Sequence, residues 1–308
     1  MTDLNKNQDA KTIGFIGFGE AGAAFARGLS DKAALPLRAF DLKTGLGEKS
    51  RQQKLQDYAR AQVQGMESAS ACAGGAQLLF SLVTADQAVK AAARAAEGIG
   101  RGCYYFDGNS CAPETKREAA RMIEAAGGRY VDMAIMGPVH PAGHKTPVLL
   151  AGKWSDDALA ILQGLGMQAR LAGGGVGAAA AIKLIRSVMF KGMEALVAEC
   201  FLSAQKAGVT GEVLASLEKS YPGFGWESRA GYMLERMQKH GIRRAAEMRE
   251  AALCVQQLGL DSAMSAASAQ WQQRLGDLSL KPDSTDLQAQ AKMILAAMDR
   301  LEKPEEKI

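Results

Sequence analysis

The sequence predicts an α/β protein: a doubly wound parallel sheet, then one long helix, then an all-helical C-terminal domain. Three observations carry that expectation. Between residues 12 and 171, short apolar runs alternate with amphipathic stretches, the pattern of βαβ units whose helices cover the faces of a parallel sheet. A glycine-rich stretch, Gly17 to Gly22, follows the first apolar run and opens a stretch of small residues. After Gly173-Gly174-Gly175-Val176-Gly177 the strand signals stop, and neither proline nor strand pattern interrupts the chain as far as Gly208.

In chain order, strand-like runs fall at 12–16, 36–40, 77–83, 103–107, 129–133, 147–151 and 167–171. Helical patterns lie between them at 20–30, 48–60, 86–97, 113–126 and 155–164. Pro113 suits a first helical turn and the Ser155-Asp156 pair suits an N-cap. The run from Gly177 to Gly208 would extend about 45 Å at roughly 1.5 Å per residue. Along it, Ile182, Ile185, Met189, Met193, Leu196, Cys200 and Phe201 recur at three- and four-residue steps, which predicts a wide buried face. Residues 210–300 read as helix, broken at Pro222-Gly223-Phe224-Gly225. The boundary is placed near 173, giving domains 11–173 and 174–308. The first ten residues are polar, so no apolar signal segment is expected, and the charged tail from Glu302 is expected to fray.

Composition narrows the function classes. A chain of 308 residues has room for two domains, and 47% apolar against 23% charged residues supports a packed core. The net charge is +4, with both signs interleaved, which argues against a nucleic-acid partner. No apolar run reaches the roughly 20 residues of a membrane span. Five cysteines, an odd number without C-x-x-C spacing, predict reduced thiols in a cytoplasmic protein.

Residues 13–22 read Ile-Gly-Phe-Ile-Gly-Phe-Gly-Glu-Ala-Gly, so Gly17, Gly19 and Gly22 satisfy G-x-G-x-x-G between a strand and a helix. The first glycine allows a tight turn, the second lets a pyrophosphate approach the backbone, and the third lets the helix pack on the strand. With Phe18, Glu20 and Ala21 these residues form the expected cofactor cradle, since a helix start offers unpaired N–H groups to an anion. Asp41 ends the second strand 24 residues after Gly17 (41 − 17). An acid there can accept the ribose hydroxyls and repel a 2′-phosphate, so NAD is expected; Lys43 keeps NADP open. Val83 and Thr84, ending the third strand, are further cofactor-contact candidates.

Four segments in order resemble the β-hydroxyacid dehydrogenases, relatives of 6-phosphogluconate dehydrogenase. They are the loop at 17–22, Asp107-Gly108-Asn109-Ser110-Cys111-Ala112-Pro113, Val131-Asp132-Met133-Ala134-Ile135-Met136-Gly137-Pro138, and Gly177 through Ser187. Residues 221–260, including Trp226, His240, Arg243, Arg244 and Glu247, are similar to a branch whose C-terminal domain has no assigned function. The resemblance implies a Rossmann-type domain and hydride exchange between a nicotinamide and a hydroxyl or carbonyl substrate. It implies that Lys183 transfers the alcohol proton, with Arg186-Ser187 at the place of the family's usual asparagine-containing pair.

Helical periodicity adds that Lys183, Arg186, Ser187, Phe190 and Glu194 share one face. Lys183 is flanked by Ala180, Ala181, Ile182, Leu184 and Ile185, so it is expected in an apolar wall with a lowered pKa. Asn109 and Ser110 follow the fourth strand, where ligands of doubly wound sheets bind; helix capping before Pro113 is the competing role. Met136-Gly137-Pro138 departs from the family's Ser-Gly-Gly, removing a hydroxyl and a backbone donor. Either Arg186 holds a carboxylate instead, or it pairs with an acid such as Glu194. A methionine there favours a bulky or aromatic substrate.

His140 and His144 sit in a proline-rich loop, so metal binding is not expected, and His140 is a substrate-contact candidate. The resemblance implies that His240, Arg243, Arg244 and Glu247 face the active site, across a dimer interface, whereas their spacing by itself favours a solvated helix face. Apolar helices of this kind predict a homodimer. Imine reduction and a non-catalytic nucleotide sensor are the competing functions; similar folds reduce C=N bonds but often replace the lysine.

Overall fold

The computed structural model describes residues 12–30 and 36–302. The polar first ten residues and the charged tail after Glu302 lie outside them. The described residues form two compact units, divided between Lys183 and Leu184. The division falls inside the long helix rather than at the glycine run near 173, because that helix belongs to both units.

The first unit opens with β1 (Ile13–Ile16), α1 (Glu20–Ser30), β2 (Leu37–Phe40), α2 (Glu48–Arg60) and β3 (Gln64–Gly65). It continues through α3 (Ala69–Ala73), β4 (Leu78–Ser81), α4 (Ala88–Ala96), β5 (Tyr104–Asp107) and α5 (Pro113–Ala125). It closes with β6 (Arg129–Ile135), β7 (Val148–Ala151), α6 (Ser155–Gly164) and β8 (Ala169–Leu171). The eight strands form one sheet in the order β3-β2-β1-β4-β5-β6-β7-β8. All pairs are parallel except β6 with β7, where a loop of Pro138, Pro141 and Pro147 turns the chain straight back. The order reverses between β1 and β4, and the crevice at the carboxyl ends of those strands is where ligands of such sheets bind.

Side chains alternate faces along each strand. Phe15, Phe80, Phe106 and Tyr104 enter one buried cluster, while Leu79, Tyr105 and Tyr130 enter the other. The rings of Phe15, Phe80 and Phe106 stack at 5.5 and 4.9 Å, tying three neighbouring strands together. Pro113 begins α5 as expected. Ser155 does not cap α6; it is the first helical residue, and Asp156 and Asp157 follow in the first turn, where their charge suits the helix dipole. The short β3 and α3 lack enough residues to show a period and were not foreseen.

The second unit is helical. α7 (Ala178–Ala207) runs into it, followed by α8 (Thr210–Ser220), α9 (Trp226–Gln257), α10 (Ala263–Asp277) and α11 (Leu287–Glu302). Its core is built by Val197, Phe201, Leu202, Leu234, Met237, Leu275, Leu287 and Ile294. Gly241 of α9 and Gly276 of α10 meet backbone to backbone: a Cβ on Gly276 would lie 2.6 Å from the Ile242 nitrogen.

The wide buried face expected on α7 is not one face. Ile182, Ile185, Met189 and Leu196 are exposed, Met189 by 66% and Leu196 by 57%, whereas Phe201 is buried. At 100° per residue, Phe201 stands about 100° round the helix from the Ile182–Cys200 stripe, so the core takes one side and leaves the stripe open. Among the described residues, no helix is long and apolar enough to cross a membrane.

Candidate functional site

The glycine loop between β1 and α1 has the shape of a phosphate cradle. Gly17 adopts φ +86°, and a Cβ there would lie 2.5 Å from the Leu82 carbonyl oxygen. A Cβ on Gly22 would lie 2.6 Å from the Gly17 carbonyl oxygen, so the helix could not start so close to its strand. A Cβ on Gly19 would meet nothing within 4 Å; its freedom is space in front of the helix start, where a pyrophosphate would lie against first-turn N–H groups without intrahelical partners. Phe18 turns its ring into the core against Phe15 and Tyr58. Glu20 is exposed on the first turn of α1 and Ala21 is half-buried behind it.

Asp41 does more than the sequence suggested. Its Oδ2 accepts the Phe18 N–H at 2.8 Å and its Oδ1 accepts the Lys43 N–H at 2.9 Å. The acid therefore braces the glycine loop, and each oxygen keeps a lone pair for a ribose hydroxyl. Lys54 Nζ donates to the Phe18 carbonyl at 2.8 Å, holding the same loop from α2. A narrow pocket beside Gly17 is lined by Phe40, Leu42, Val83, Gln87, Lys90 and Arg94. Lys90 and Arg94 were missed, because two cations on an amphipathic helix look like any solvated face. These features fit a dinucleotide: glycines where a side chain would collide or intrude, an acid at the second strand, and a slot at the switch point.

At the carboxyl ends of β4 and β5 the polar side chains divide. Asn109 is buried and engaged within the sheet: Nδ2 donates to Ser81 Oγ at 3.0 Å, and Oδ1 accepts the Val83 N–H at 2.7 Å. Neither Asn109 nor Ser110 caps α5, whose N-cap is Ala112 without a side-chain bond. Asn109 fixes the turn that carries Val83, half-buried, and Thr84, exposed. Ser110 is left to face α7, where Lys183 Nζ donates to its Oγ at 2.6 Å. Lys183 is half-buried, so an amine and a hydroxyl from distant parts of the chain meet at the sheet's carboxyl edge.

Beneath them lies a buried network the sequence did not disclose as one. Asp107 and Asp132 are register partners on β5 and β6. Lys116 of α5 lies between them, with Nζ 3.0 Å from Asp107 Oδ1 and 3.4 Å from Asp132 Oδ1. Tyr130 OH donates to Asp107 Oδ2 at 2.6 Å. Burial works against the Lys116 ammonium, but the two carboxylates outweigh it and hold its pKa above the ordinary lysine value. The same carboxylates, with burial first, push the Tyr130 hydroxyl up.

The Met136 N–H is spent on the Pro147 carbonyl at 2.9 Å, leaving the exposed Gly137 as the open backbone position after β6. His140 is exposed and lines a shallow pocket with Ala24, Arg27 and Gly28 of α1. His144 is buried over Gly28, so this loop is docked on α1.

In the second unit, Arg186 stacks its guanidinium 3.9 Å from the Phe190 ring centre. It does not pair with Glu194, which is taken by Arg244 through two hydrogen bonds and by Gln272 at 2.7 Å. Ser187 Oγ accepts from Lys191 Nζ at 3.0 Å, and Lys191 pairs with Glu247 at 2.7 Å. Burial lowers the Lys191 pKa, with Glu247 opposing. The solvated face expected for Arg244 and Glu247 is therefore a buried seam: helical spacing alone does not say which polar residues find partners across a helix pair. Burial raises the Cys72 and Cys103 thiols to about 12, so both stay protonated and unreactive at neutral pH.

Residues 12–173 match the NAD binding domain of 6-phosphogluconate dehydrogenase, and residues 204–275 match a domain of unknown function, DUF1932. A conserved hypothetical protein from Sinorhizobium meliloti is 33% identical, with 97% of this chain and 99% of that one covered and a TM-score of 0.76. The mitochondrial 3-hydroxyisobutyrate dehydrogenase of Drosophila melanogaster is 25% identical over 225 residues, which span 71% of this chain and 66% of the relative. The Mycobacterium tuberculosis 3-hydroxyisobutyrate dehydrogenase, solved with L-serine, shares the fold at 16% identity and a TM-score of 0.71, with 92% and 99% of the two chains covered.

Proposed function

Because the chain belongs, through residues 12–173, to the family built on the NAD binding domain of 6-phosphogluconate dehydrogenase, we propose that it is a nicotinamide-dependent dehydrogenase or reductase acting on a hydroxyl or carbonyl group, with Lys183 as its proton-transfer residue. The observation that carries this is the 2.6 Å contact between Lys183 Nζ and Ser110 Oγ at the carboxyl end of β5. A bound nicotinamide would supply the hydride acceptor. Oxidation of an alcohol releases a hydride from carbon and a proton from oxygen, and Lys183, as the free amine, takes that proton. In reduction the ammonium returns it. Ser110 orients the amine and offers its own hydroxyl to the substrate oxygen. Gly17, Gly19 and Gly22 admit the pyrophosphate, and Val83 and Thr84 stand at the turn that Asn109 braces.

The substrate we propose is a bulky or aromatic hydroxy acid or alcohol. Support comes from Met136, which offers no hydroxyl and whose N–H is taken by Pro147; Arg186 is the residue we propose for a carboxylate, on the bidentate chemistry of its guanidinium. Ser187 is the companion contact, and His140 is the outermost candidate. NAD is favoured over NADP because the Asp41 carboxylate opposes a 2′-phosphate. Asp41→Ala is expected to lower the kcat/KM ratio of NAD over NADP by about tenfold or more, as loss of charged hydrogen bonds worth about 1.5–3 kcal/mol would produce. An unchanged ratio would remove Asp41 from cofactor selection.

We also propose a homodimer in the cytoplasm. The exposed stripe of Ile182, Ile185, Met189 and Leu196 is apolar surface of the kind that partners cover, and none of the five cysteines is in a disulfide. Sedimentation at micromolar concentration should give twice the chain mass; a monomer would end that proposal. The function itself is tested by following absorbance at 340 nm with NAD or NADP, against hydroxy acids, aryl alcohols and, in the reducing direction, cyclic imines. Turnover of alcohols supports the proposal, whereas turnover confined to imines overturns it.

A further inference from the structure

We infer that Asp132 is the positioning residue of the site: its buried carboxylate, gripped by Lys116, anchors the first turn of α7 and thereby sets where Lys183 stands. This rests on the proposed role of Lys183, and it adds a device that neither the motif nor the spacing reveals.

The contacts are specific. Asp132 and Lys116 are fully buried. Asp132 Oδ2 accepts the Gly177 N–H at 3.0 Å and the Ala180 N–H at 3.2 Å. Those amides belong to the start of α7, where N–H groups have no intrahelical acceptor and the helix dipole is positive. Lys183 follows Ala180 by three residues, under one turn, so the anchored turn and the turn bearing the amine move as one body. The opposite side is equally fixed. Lys116 Nζ also donates to the Asp107 carbonyl at 2.6 Å, and the Asn109 N–H donates to Asp107 Oδ1 at 3.0 Å, one residue before Ser110. Lys116 therefore ties together the segment bearing Ser110 and the segment bearing Lys183.

A stability role alone accounts poorly for this arrangement. Two carboxylates in register on adjacent strands repel, and one ammonium between them leaves a buried excess of negative charge facing the helix. Buried ion pairs of this sort break even at best against apolar packing. What the network provides is geometry. A packing contact fixes a helix start less sharply than two N–H donors converging on one oxygen. Displacement of a reacting group by about 1 Å can cost on the order of 10²-fold in rate.

The test uses the full-length chain and three measurements on Asp132→Asn, which keeps the side-chain shape and leaves Lys116 paired with Asp107. They are kcat with the best alcohol of the 340 nm panel, NADH affinity by fluorescence, and labelling of individual lysines by acetic anhydride read by peptide mass spectrometry, with the exposed Lys153 as internal standard. Expected are a kcat lowered about 10²-fold, NADH affinity within about twofold of wild type, and a Lys183 labelling rate changed several-fold relative to Lys153. Wild-type kcat with unchanged Lys183 labelling overturns the inference. So does a fall in kcat with unchanged labelling, which is the signature of general structural damage. If Lys183→Ala keeps turnover while Asp132→Asn still alters Lys183 labelling, the anchor stands and the catalytic role of Lys183 falls. Should Asp132→Asn not fold, amide hydrogen exchange on the wild type decides: Gly177 and Ala180 should be protected although they open a helix, and fast exchange at both overturns the anchor.

Discussion

Lys183→Ala is expected to lower kcat by about 10²–10⁴-fold, the range that positioned general acid–base groups contribute, while NADH affinity stays near that of the wild type. The separation follows from where the residues sit. The proposed dinucleotide cradle comprises the loop after β1, Asp41 and the turn at Val83, whereas Lys183 Nζ donates to Ser110 Oγ at the carboxyl edge of the sheet. Truncation to alanine removes the amine and frees the Ser110 hydroxyl, leaving the glycine loop, the Phe18–Asp41 bond and the pocket by β4 intact. Equal losses of cofactor binding and turnover would mean that the side chain supports the fold rather than the chemistry. Stopped-flow mixing with NADH, beside steady-state rates, separates the two.

Glu194→Ala should destabilise the helical unit by about 3–5 kcal/mol, the usual penalty for leaving a buried charge without its partner. Arg244 is buried, and its guanidinium meets Glu194 through Nε and Nη2. Gln272 donates to the same carboxylate, so one substitution strands a cation and an amide between α7, α9 and α10. The double change Glu194→Leu with Arg244→Met should recover most of the loss, because apolar side chains of similar volume satisfy that space without charge. Urea unfolding followed by tryptophan fluorescence reads the effect where it occurs, since Trp226 and Trp271 report the helical unit and Trp154 the sheet. An unchanged midpoint in Glu194→Ala would show that water reaches the seam.

Much of this architecture was legible because it is written in periods. The strand and helix alternation, the reversal of the sheet, and the helices at 20–30, 48–60 and 155–164 follow from alternating faces and small-residue patterns. The glycine loop was legible because each glycine answers a separate steric need, and the structure shows those needs at Gly17, Gly19 and Gly22. What escaped is pairing at long range. Lys116 looks like one more cation on an amphipathic helix, yet it is fully buried between Asp107 and Asp132. Arg244 and Glu247 look solvated until α7 supplies Glu194 and Lys191. Asn109 reads as a ligand contact or a helix cap, and neither reading discloses that its side chain bonds Ser81 and the Val83 N–H across the ends of β4 and β5. The stripe on α7 misled for a related reason: periodicity marks an apolar side and is silent on what covers it.

The most direct test of the central claim is the pH dependence of kcat/KM for alcohol oxidation, measured in parallel for the wild type and Lys183→Met. The proposal requires the amine to be neutral before it can take the alcohol proton. The wild-type rate should therefore climb with pH along a limb governed by one group, and that limb should vanish in Lys183→Met, leaving a slow and flat profile. A limb of the same slope and midpoint in Lys183→Met would assign the proton to another residue and contradict the account.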